Sequence, residues 1–406
     1  MLETPKANRL HIAVFGRRNA GKSSVVNALT GQDAALVSEY AGTTTDPVYK
    51  AMELLPIGPV MIIDTAGLDD EGGIGELRVK KTYDVMEKTD LALLLFTPEM
   101  TEFSMELQWY EQLKAKNIPV VGIMNKIDTG CYDIAGIRQQ IDIPFVEVSA
   151  LEKNNMISLK QAIWENAPDD FENKTILGDI VGEKSVVVLV APQDLQAPKG
   201  RLILPQVQVI RDILDNGGLA FTVKDSELSD ILALLKTKPD LVVTDSQVFG
   251  KVNALLPVDV PLTSFSILMA RYKGDLDMLV KGAEKIAELQ PGDNVLIAEA
   301  CTHHALRGDI GREKLPGWLN AAVGGELNFD IVAGNDFPED LKKYSLIVHC
   351  GACMFNRKQM LSRIIKADGE NIAITNYGMA IAQMKGILRR VTEVFYRENS
   401  DADQTV

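Results

Sequence analysis

An unbroken apolar run, Leu10–Phe15, gives way at once to Gly16-Arg17-Arg18-Asn19-Ala20-Gly21-Lys22-Ser23 and then to a helix-like stretch, Lys22–Leu29. The succession of apolar strand, glycine loop and helix leaves little choice of architecture. A strand without polar alternation must be covered on both faces, and the helix after it carries the chain back to start a parallel neighbour. The first 170 residues repeat the pattern. Val60–Ile63, Leu91–Phe96, Val120–Met124 and Phe145–Val148 are short apolar runs, with helix-like segments such as Glu106–Lys116 and Leu159–Glu165 between them. The polar stretch Ala167–Lys174 reads as a boundary.

Two more alternating segments follow. In residues 177–265 the strands are expected at Val186–Val190, Ala220–Val223, Leu241–Thr244 and Pro261–Phe265, with helices at Pro205–Asn216, Glu227–Leu235 and Gln247–Leu255. This segment carries no motif with chemistry, so a structural or association role is expected of it. In residues 266–397 a helix over Asp275–Leu289 precedes strands Asn294–Ala300, Phe329–Val332, Ser345–His349 and Ile372–Thr375, and a last helix runs from Met379 to Arg397. The expected fold class is α/β in three domains, 1–170, 177–265 and 266–397, each built on a mostly parallel sheet.

Composition narrows the function. Lys plus Arg total 42 against 56 Asp plus Glu, a net charge of −14, which argues against a nucleic-acid partner that needs clustered cations. No apolar run approaches the roughly 18 residues of a membrane span. The stretch before Leu10 has no apolar secretory segment, so a cytoplasmic location is expected. Four Cys in 406 residues exclude a disulfide framework.

The loop fits G-x-x-x-x-G-K-[ST] in the context that its mechanism demands. Its glycines let backbone N–H groups turn toward phosphates, Lys22 reaches the β- and γ-phosphates, and the Ser23 hydroxyl ligates Mg²⁺. Phosphate contact is assigned to Gly16, Asn19, Ala20, Gly21, Lys22, Ser23 and Ser24. Asp64-Thr65-Ala66-Gly67 ends a strand, so Asp64 can hold the Mg²⁺ shell and the Gly67 amide can meet the γ-phosphate. Asn125-Lys126-Ile127-Asp128 ends another. The Asp128 carboxylate can accept two N–H groups from a guanine edge, and a mismatched base leaves it unpaired. Ser149-Ala150 suits backbone contact with the guanine oxygen. Four signals in order at strand ends point to GTP/GDP. In Ala41-Gly42-Thr43-Thr44-Thr45-Asp46, Thr44 is the first choice to complete the Mg²⁺ shell and Thr43 the second. Leu68 stands where many such enzymes orient water with Gln, so slow hydrolysis is expected. The catalytic set is Lys22, Thr44, Asp64 and Gly67. Residues 69–75, acidic and glycine-rich, read as a second switch loop.

Three of the four Cys and three of the four His fall in two short stretches, Cys301-Thr302-His303-His304 and His349-Cys350-Gly351-Ala352-Cys353. Each starts at the end of an expected parallel strand, where ligand sites gather. Cys-x-x-Cys spacing lets two thiolates grip one centre. Three thiolates with an exchangeable fourth ligand suit a [4Fe–4S] cluster, and Cys₃His suits zinc; the spacing fits both.

The Gly-Thr-Thr-x-Asp stretch and the apolar residue after the Asp64–Gly67 motif resemble the TrmE/Era-type GTPases. That resemblance implies a K⁺ held by Asn19, acting like an arginine finger. The whole order, a GTPase module, a module without chemistry and then Cys-x-His…His-Cys-x-x-Cys, resembles the HydF family of [FeFe]-hydrogenase maturation GTPases. The resemblance implies a [4Fe–4S] cluster on Cys301, Cys350 and Cys353, with His303 and His349 as motif histidines and candidates for the fourth ligand or for cargo contact. It also implies homodimerisation through the middle domain and a transient diiron subcluster carrying CO, cyanide and a dithiolate. That unit would be assembled with the radical-SAM proteins HydE and HydG and delivered to the apo-hydrogenase HydA. The competing reading is an RNA-associated TrmE/Era-like GTPase with a structural Cys₃His zinc site.

Overall fold

The computed structural model of the chain describes residues 6–31, 47–65, 81–132, 134–168, 175–192, 202–300 and 309–396. The chain divides into two compact units, Met1–Lys174 and Thr175–Val406.

The first unit holds a six-stranded sheet in the order β2-β3-β1-β4-β5-β6. Its strands are β1 (Leu10–Phe15), β2 (Val48–Leu54), β3 (Gly58–Asp64), β4 (Leu91–Phe96), β5 (Val120–Met124) and β6 (Phe145–Glu147). All neighbours are parallel except β2, which runs antiparallel to β3. Side chains alternate across a strand, and β1 shows the consequence. Leu10, Ile12 and Val14 pack with Val25, Val26 and Leu29 of the helix Lys22–Thr30 and with Leu159 and Ile163. Ala13 and Phe15 face the other way, among Trp109, Tyr110, Leu113 and Ile137. Each fully buried large side chain here stabilises by roughly 1.5–3 kcal/mol.

The second unit holds two four-stranded parallel sheets. One, in the order β10-β9-β7-β8, comprises β7 (Val186–Val190), β8 (Leu219–Val223), β9 (Leu241–Thr244) and β10 (Leu262–Ser264). The other, in the order β12-β11-β13-β14, comprises β11 (Asn294–Glu299), β12 (Asn328–Ala333), β13 (Leu346–His349) and β14 (Ala373–Asn376). A single apolar core runs through both sheets, from Val188 and Val242 to Leu296 and Ile347. The helix Phe265–Lys273 joins them. Phe265, Leu268 and Met269 enter a core with β7 and β9, whereas Ile267 and Ala270 enter the shared one. A helix buried nearly all round marks the interior of a large unit, and this one begins where the second expected domain was to end.

Departures from the sequence expectation have physical reasons. Strand β2 was not expected: Lys50 and Glu53 interrupt its apolar residues, as suits an exposed edge strand. Pro261–Phe265 shortens to β10, because Ser264 caps the following helix by accepting the Ile267 N–H. The last helix is two, Tyr377–Met384 and Leu388–Thr392, broken where Gly386 adopts a left-handed φ of 68°. No described helix is long and apolar enough to cross a membrane.

Two predictions follow from packing. The helix Leu276–Glu284 lies against β14 so closely that a Cβ on Gly282 would sit 1.9 Å from the Ile374 carbonyl oxygen. Ala favours a helix over Gly by about 1 kcal/mol, but a collision with backbone has no easy relief. Gly282→Ala should therefore lose about 2 kcal/mol in urea unfolding of the second unit. In the first unit, burial holds His11 down to about 4. Its Nδ1–H donates to the Arg9 carbonyl at 2.8 Å, while Asp90 accepts the His11 backbone N–H instead of pairing tightly with the ring. A folded-state value below that of the unfolded chain means that the unfolded state takes up a proton first as pH falls. Stability should thus drop between pH 6.5 and 4 by up to about 3 kcal/mol, and His11→Gln should flatten that part of the profile.

Candidate functional site

The phosphate loop leaves the buried end of β1. Asn19 and Gly21 take left-handed φ values of 61° and 88°, which fold the loop back on itself. A Cβ on Gly21 would lie 2.3 Å from Asn125 Nδ2, so both conformation and space require glycine. The helix Lys22–Thr30 then starts with no side chain capping it; helix N-termini of this kind favour anions. Lys22 is buried, and its Nζ donates to the carbonyls of Gly16 at 2.9 Å and Arg17 at 2.8 Å. Its ammonium is already held inside the loop where phosphate oxygens would enter.

Ser23 Oγ donates to Asp64 Oδ2 at 2.6 Å, so the two expected Mg²⁺-shell residues meet at the ends of different elements. Burial raises the Asp64 carboxyl, against the Ser23 hydrogen bond and the charges of Lys22 and Lys50. Its other oxygen, Oδ1, is buried with no hydrogen-bond partner among the described residues. An orphaned buried carboxylate oxygen beside a serine hydroxyl is a donor set that fits Mg²⁺, a hard cation. When bound, the ion would neutralise charge on the phosphates.

The base-side motifs lie at the ends of β5 and β6. Asn125 is buried and acts as a bracket: Nδ2 donates to the Ala20 carbonyl at 2.9 Å, and Oδ1 accepts the Ala150 N–H at 3.1 Å. It thereby ties the phosphate loop to Ser149-Ala150. Ser149 is fully buried and its Oγ accepts the Glu152 N–H. Lys126 has a left-handed φ of 62°, and Asp128 stands exposed beyond it, its carboxylate open to a ligand edge. Thr43, Thr44, Gly67, Leu68 and residues 69–75 lie outside the described residues. One participant was not legible in the motif. Arg17 donates to both oxygens of the fully buried Glu106 carboxylate, at 2.8 and 2.9 Å, and to the Glu102 carbonyl. This fastens the second residue of the loop to the helix Ser104–Ala115.

The cysteine loop leaves the end of β13, beside β11 in the sheet, with Ala298 paired to His349. Cys350 N–H donates to the Ala298 carbonyl, and Cys350 Sγ accepts the Ala300 N–H at 3.0 Å. Ala352 turns the chain at a left-handed φ of 49°, and Asn356 caps the next helix, Arg357–Gly369. Lys273, 1 % exposed, donates through Nζ to the carbonyls of Phe355 at 2.8 Å, Ala352 at 3.0 Å and Cys353 at 3.4 Å. Burial lowers Lys273 to about 8, opposed by the thiols of Cys353 and Cys350.

His349 is fully buried. A guanidinium can only donate, so the 2.8 Å contact with Arg363 makes Nε2 an acceptor, and Nδ1–H donates to the Cys350 carbonyl at 2.9 Å. Burial and then the Arg363 charge hold the ring down to about 3. Arg363 also stacks on Phe337 and Phe355. Both nitrogens of His349, a candidate for the fourth ligand, are thus engaged by the chain itself, and ligation would require the Arg363 contact to break. Cys301, His303 and His304 lie outside the described residues. Among those described, no three His, Cys, Asp or Glu side chains converge as a metal set.

The family model of the 50S ribosome-binding GTPase matches residues 11–126. The tRNA modification GTPase MnmE of Chromobacterium violaceum is 36 % identical over 157 residues, covering 38 % of this chain and 34 % of that protein. GTPase Der of Wolinella succinogenes is 29 % identical over 188 residues, covering 42 % and 40 %. The chain thus spans well under half the length of these curated relatives. A solved structure of Aquifex aeolicus Era bound to GDP·AlF4⁻ is 17 % identical, covering 80 % of this chain and 92 % of that one, at a TM-score of 0.36, too slight a likeness to argue from. The first unit is a GTPase that takes GTP and GDP with Mg²⁺. The model described as the hydrogen maturase F dimerization domain matches residues 176–274, and the one described as its tetramerization domain matches residues 277–394. Two models from one family thus fill the second unit in order behind a GTPase domain, and the chain belongs to the hydrogen maturase F family.

Proposed function

We propose that the protein is a GTP-switched scaffold of [FeFe]-hydrogenase maturation. In this reading it holds a [4Fe–4S] cluster on Cys301, Cys350 and Cys353, accepts a diiron subcluster precursor and delivers it to the apo-hydrogenase HydA, with HydE and HydG as its suppliers. The observation that carries the cluster reading is the Ala300 N–H on Cys350 Sγ at 3.0 Å. Ala300 immediately precedes Cys301 in the chain, so the backbone leading to the third cysteine already touches the first of the Cys-x-x-Cys pair. Hydrogen bonds to sulfur are how a protein steadies a thiolate-held centre. The bound cluster would supply an open iron site for cargo. The chain's own part is to present the thiols from two adjacent strand ends and to shield them with buried side chains.

Self-association is the role of the two family domains, and β8 offers a route to a homodimer. It is an edge strand whose Leu219 and Phe221 remain exposed. Pairing with the same strand of a second copy would satisfy its open ladder and cover both side chains. In the GTPase unit, GTP with Mg²⁺ would order Thr44 and the loop after Gly67, and Asn19 would hold a K⁺ that assists hydrolysis.

Two experiments test this reading. Lys22→Ala should weaken GTP binding at least about tenfold, the loss of one charge-assisted contact, and leave iron content unchanged. Wild-type hydrolysis should be faster in potassium than in sodium. Hydrogenase activation by Lys22→Ala at the wild-type level would remove the switch from the scheme. Anaerobic purification should give about four iron and four sulfide per chain, with a reduced-cluster EPR signal that Cys350→Ala abolishes. Stoichiometric zinc, with no cluster after reconstitution, would overturn the cluster assignment.

A further inference from the structure

Lys273 is the last residue of the helix that joins the two sheets of the second unit, and it lies in the segment matched by the dimerization-domain model. Cys350 and Cys353 lie in the segment matched by the tetramerization-domain model. The side chain does not serve its own helix. It crosses to the loop after β13 and places all three N–H donors of its ammonium against the carbonyls of Ala352, Cys353 and Phe355. Three carbonyls turned onto one cation fix the orientation of the peptide groups on either side of Cys353.

A neutral donor could satisfy two of these carbonyls without the desolvation that burying a charge demands. The charge itself therefore needs a reason. Its ammonium donates to the carbonyl of Cys353 itself and to that of Ala352 beside it, within the short turn that also carries Cys350. A buried cation there favours the more negative oxidation state of any centre that the turn holds.

We propose that Lys273 is a positioning residue of the cysteine loop, contributed by the dimerization module, which fixes the Cys350–Cys353 turn and sets a positive charge against it. Its functional meaning rests on the cluster reading above, but its structural half does not. The cysteine site then has no complete support from the tetramerization segment alone. The joining helix makes the dimerization module part of the metal site, and a rearrangement of one module would be felt at the other.

The test uses the full-length chain and two substitutions. Lys273→Met keeps length and removes both donors and charge. Lys273→Gln keeps an N–H₂ donor, removes the charge and is the better prospect should the first variant misfold. In metal-free protein, hydrogen exchange of amides 350–356 should rise at least tenfold in Lys273→Met and less in Lys273→Gln, with the strands of both sheets as protected as in wild type. In reconstituted protein, iron loss to a chelator should be at least tenfold faster in Lys273→Met. The midpoint potential should move to more negative values in both variants, because each lacks the cation. A purely space-filling lysine would leave the potential unmoved in Lys273→Gln. If wild type takes up no cluster, the cluster reading fails and the exchange experiment alone decides the positioning role. If wild type holds a cluster and both variants match it in exchange, iron retention and potential, the Lys273 assignment is wrong and the cluster reading stands.

Discussion

A parallel strand buried on both faces can expose chemistry only at its ends, and the described functional loops of this protein obey that restriction. In β1 all six side chains are buried, in β5 all five and in β13 all four. None of those positions can carry a ligand contact without opening the core. What the strands do supply is register. Because β1, β3 and β4 are paired residue by residue, the loop at Gly16 and the carboxylate at Asp64 arrive side by side, and Ser23 reaches Asp64 at 2.6 Å. Because Ala298 pairs with His349, the peptide at Ala300 meets the Cys350 thiol. Both sites are consequences of hydrogen-bond ladders many residues long, so they are rigid without local stiffness of their own.

Both sites hold a buried ammonium on backbone carbonyls. Lys22 rests on two carbonyls of the phosphate loop, and Lys273 rests on three carbonyls of the cysteine loop. The similarity ends there. Lys22 sits at the N-terminus of a helix that no side chain caps. Lys273 has its three donors used, in surroundings that exclude water. One lysine stands at a helix N-terminus, and the other is enclosed by the loop that it holds.

The motifs of the GTPase unit could be read from sequence because each is local. Gly16–Ser23, Asp64, Asn125–Asp128 and Ser149-Ala150 each occupy one short stretch that follows an apolar run, and spacing suffices to place them. What escaped was long-range. The Arg17–Glu106 pair spans 89 positions, and neither residue is distinctive on its own. Lys273 and Cys353 are 80 positions apart. Strand β2 was hidden for a different reason, since an exposed edge strand need not be apolar. The single core of the second unit was hidden too, because no motif marks the helix Phe265–Lys273, which enters both cores.

His349 illustrates how far motif and geometry can differ. Beside two cysteines, a histidine reads as a ligand, since imidazole is among the commonest metal donors. Its place within β13 sets what the ring meets in this structure. The residue immediately before Cys350 is still in the ladder, so its ring points into the core, where Arg363 and the Cys350 carbonyl take both nitrogens. Arg363 in turn bonds the Gly334 carbonyl after β12 and lies against Phe337 and Phe355. His349 is thus the middle of a buried chain that runs from the loop after β12 to the backbone of Cys350. With Lys273 gripping the other side of the same turn, the cysteine loop is held from two directions by buried cationic side chains. The loop is thus held by buried hydrogen bonds from its own neighbours rather than by stiffness of its own backbone.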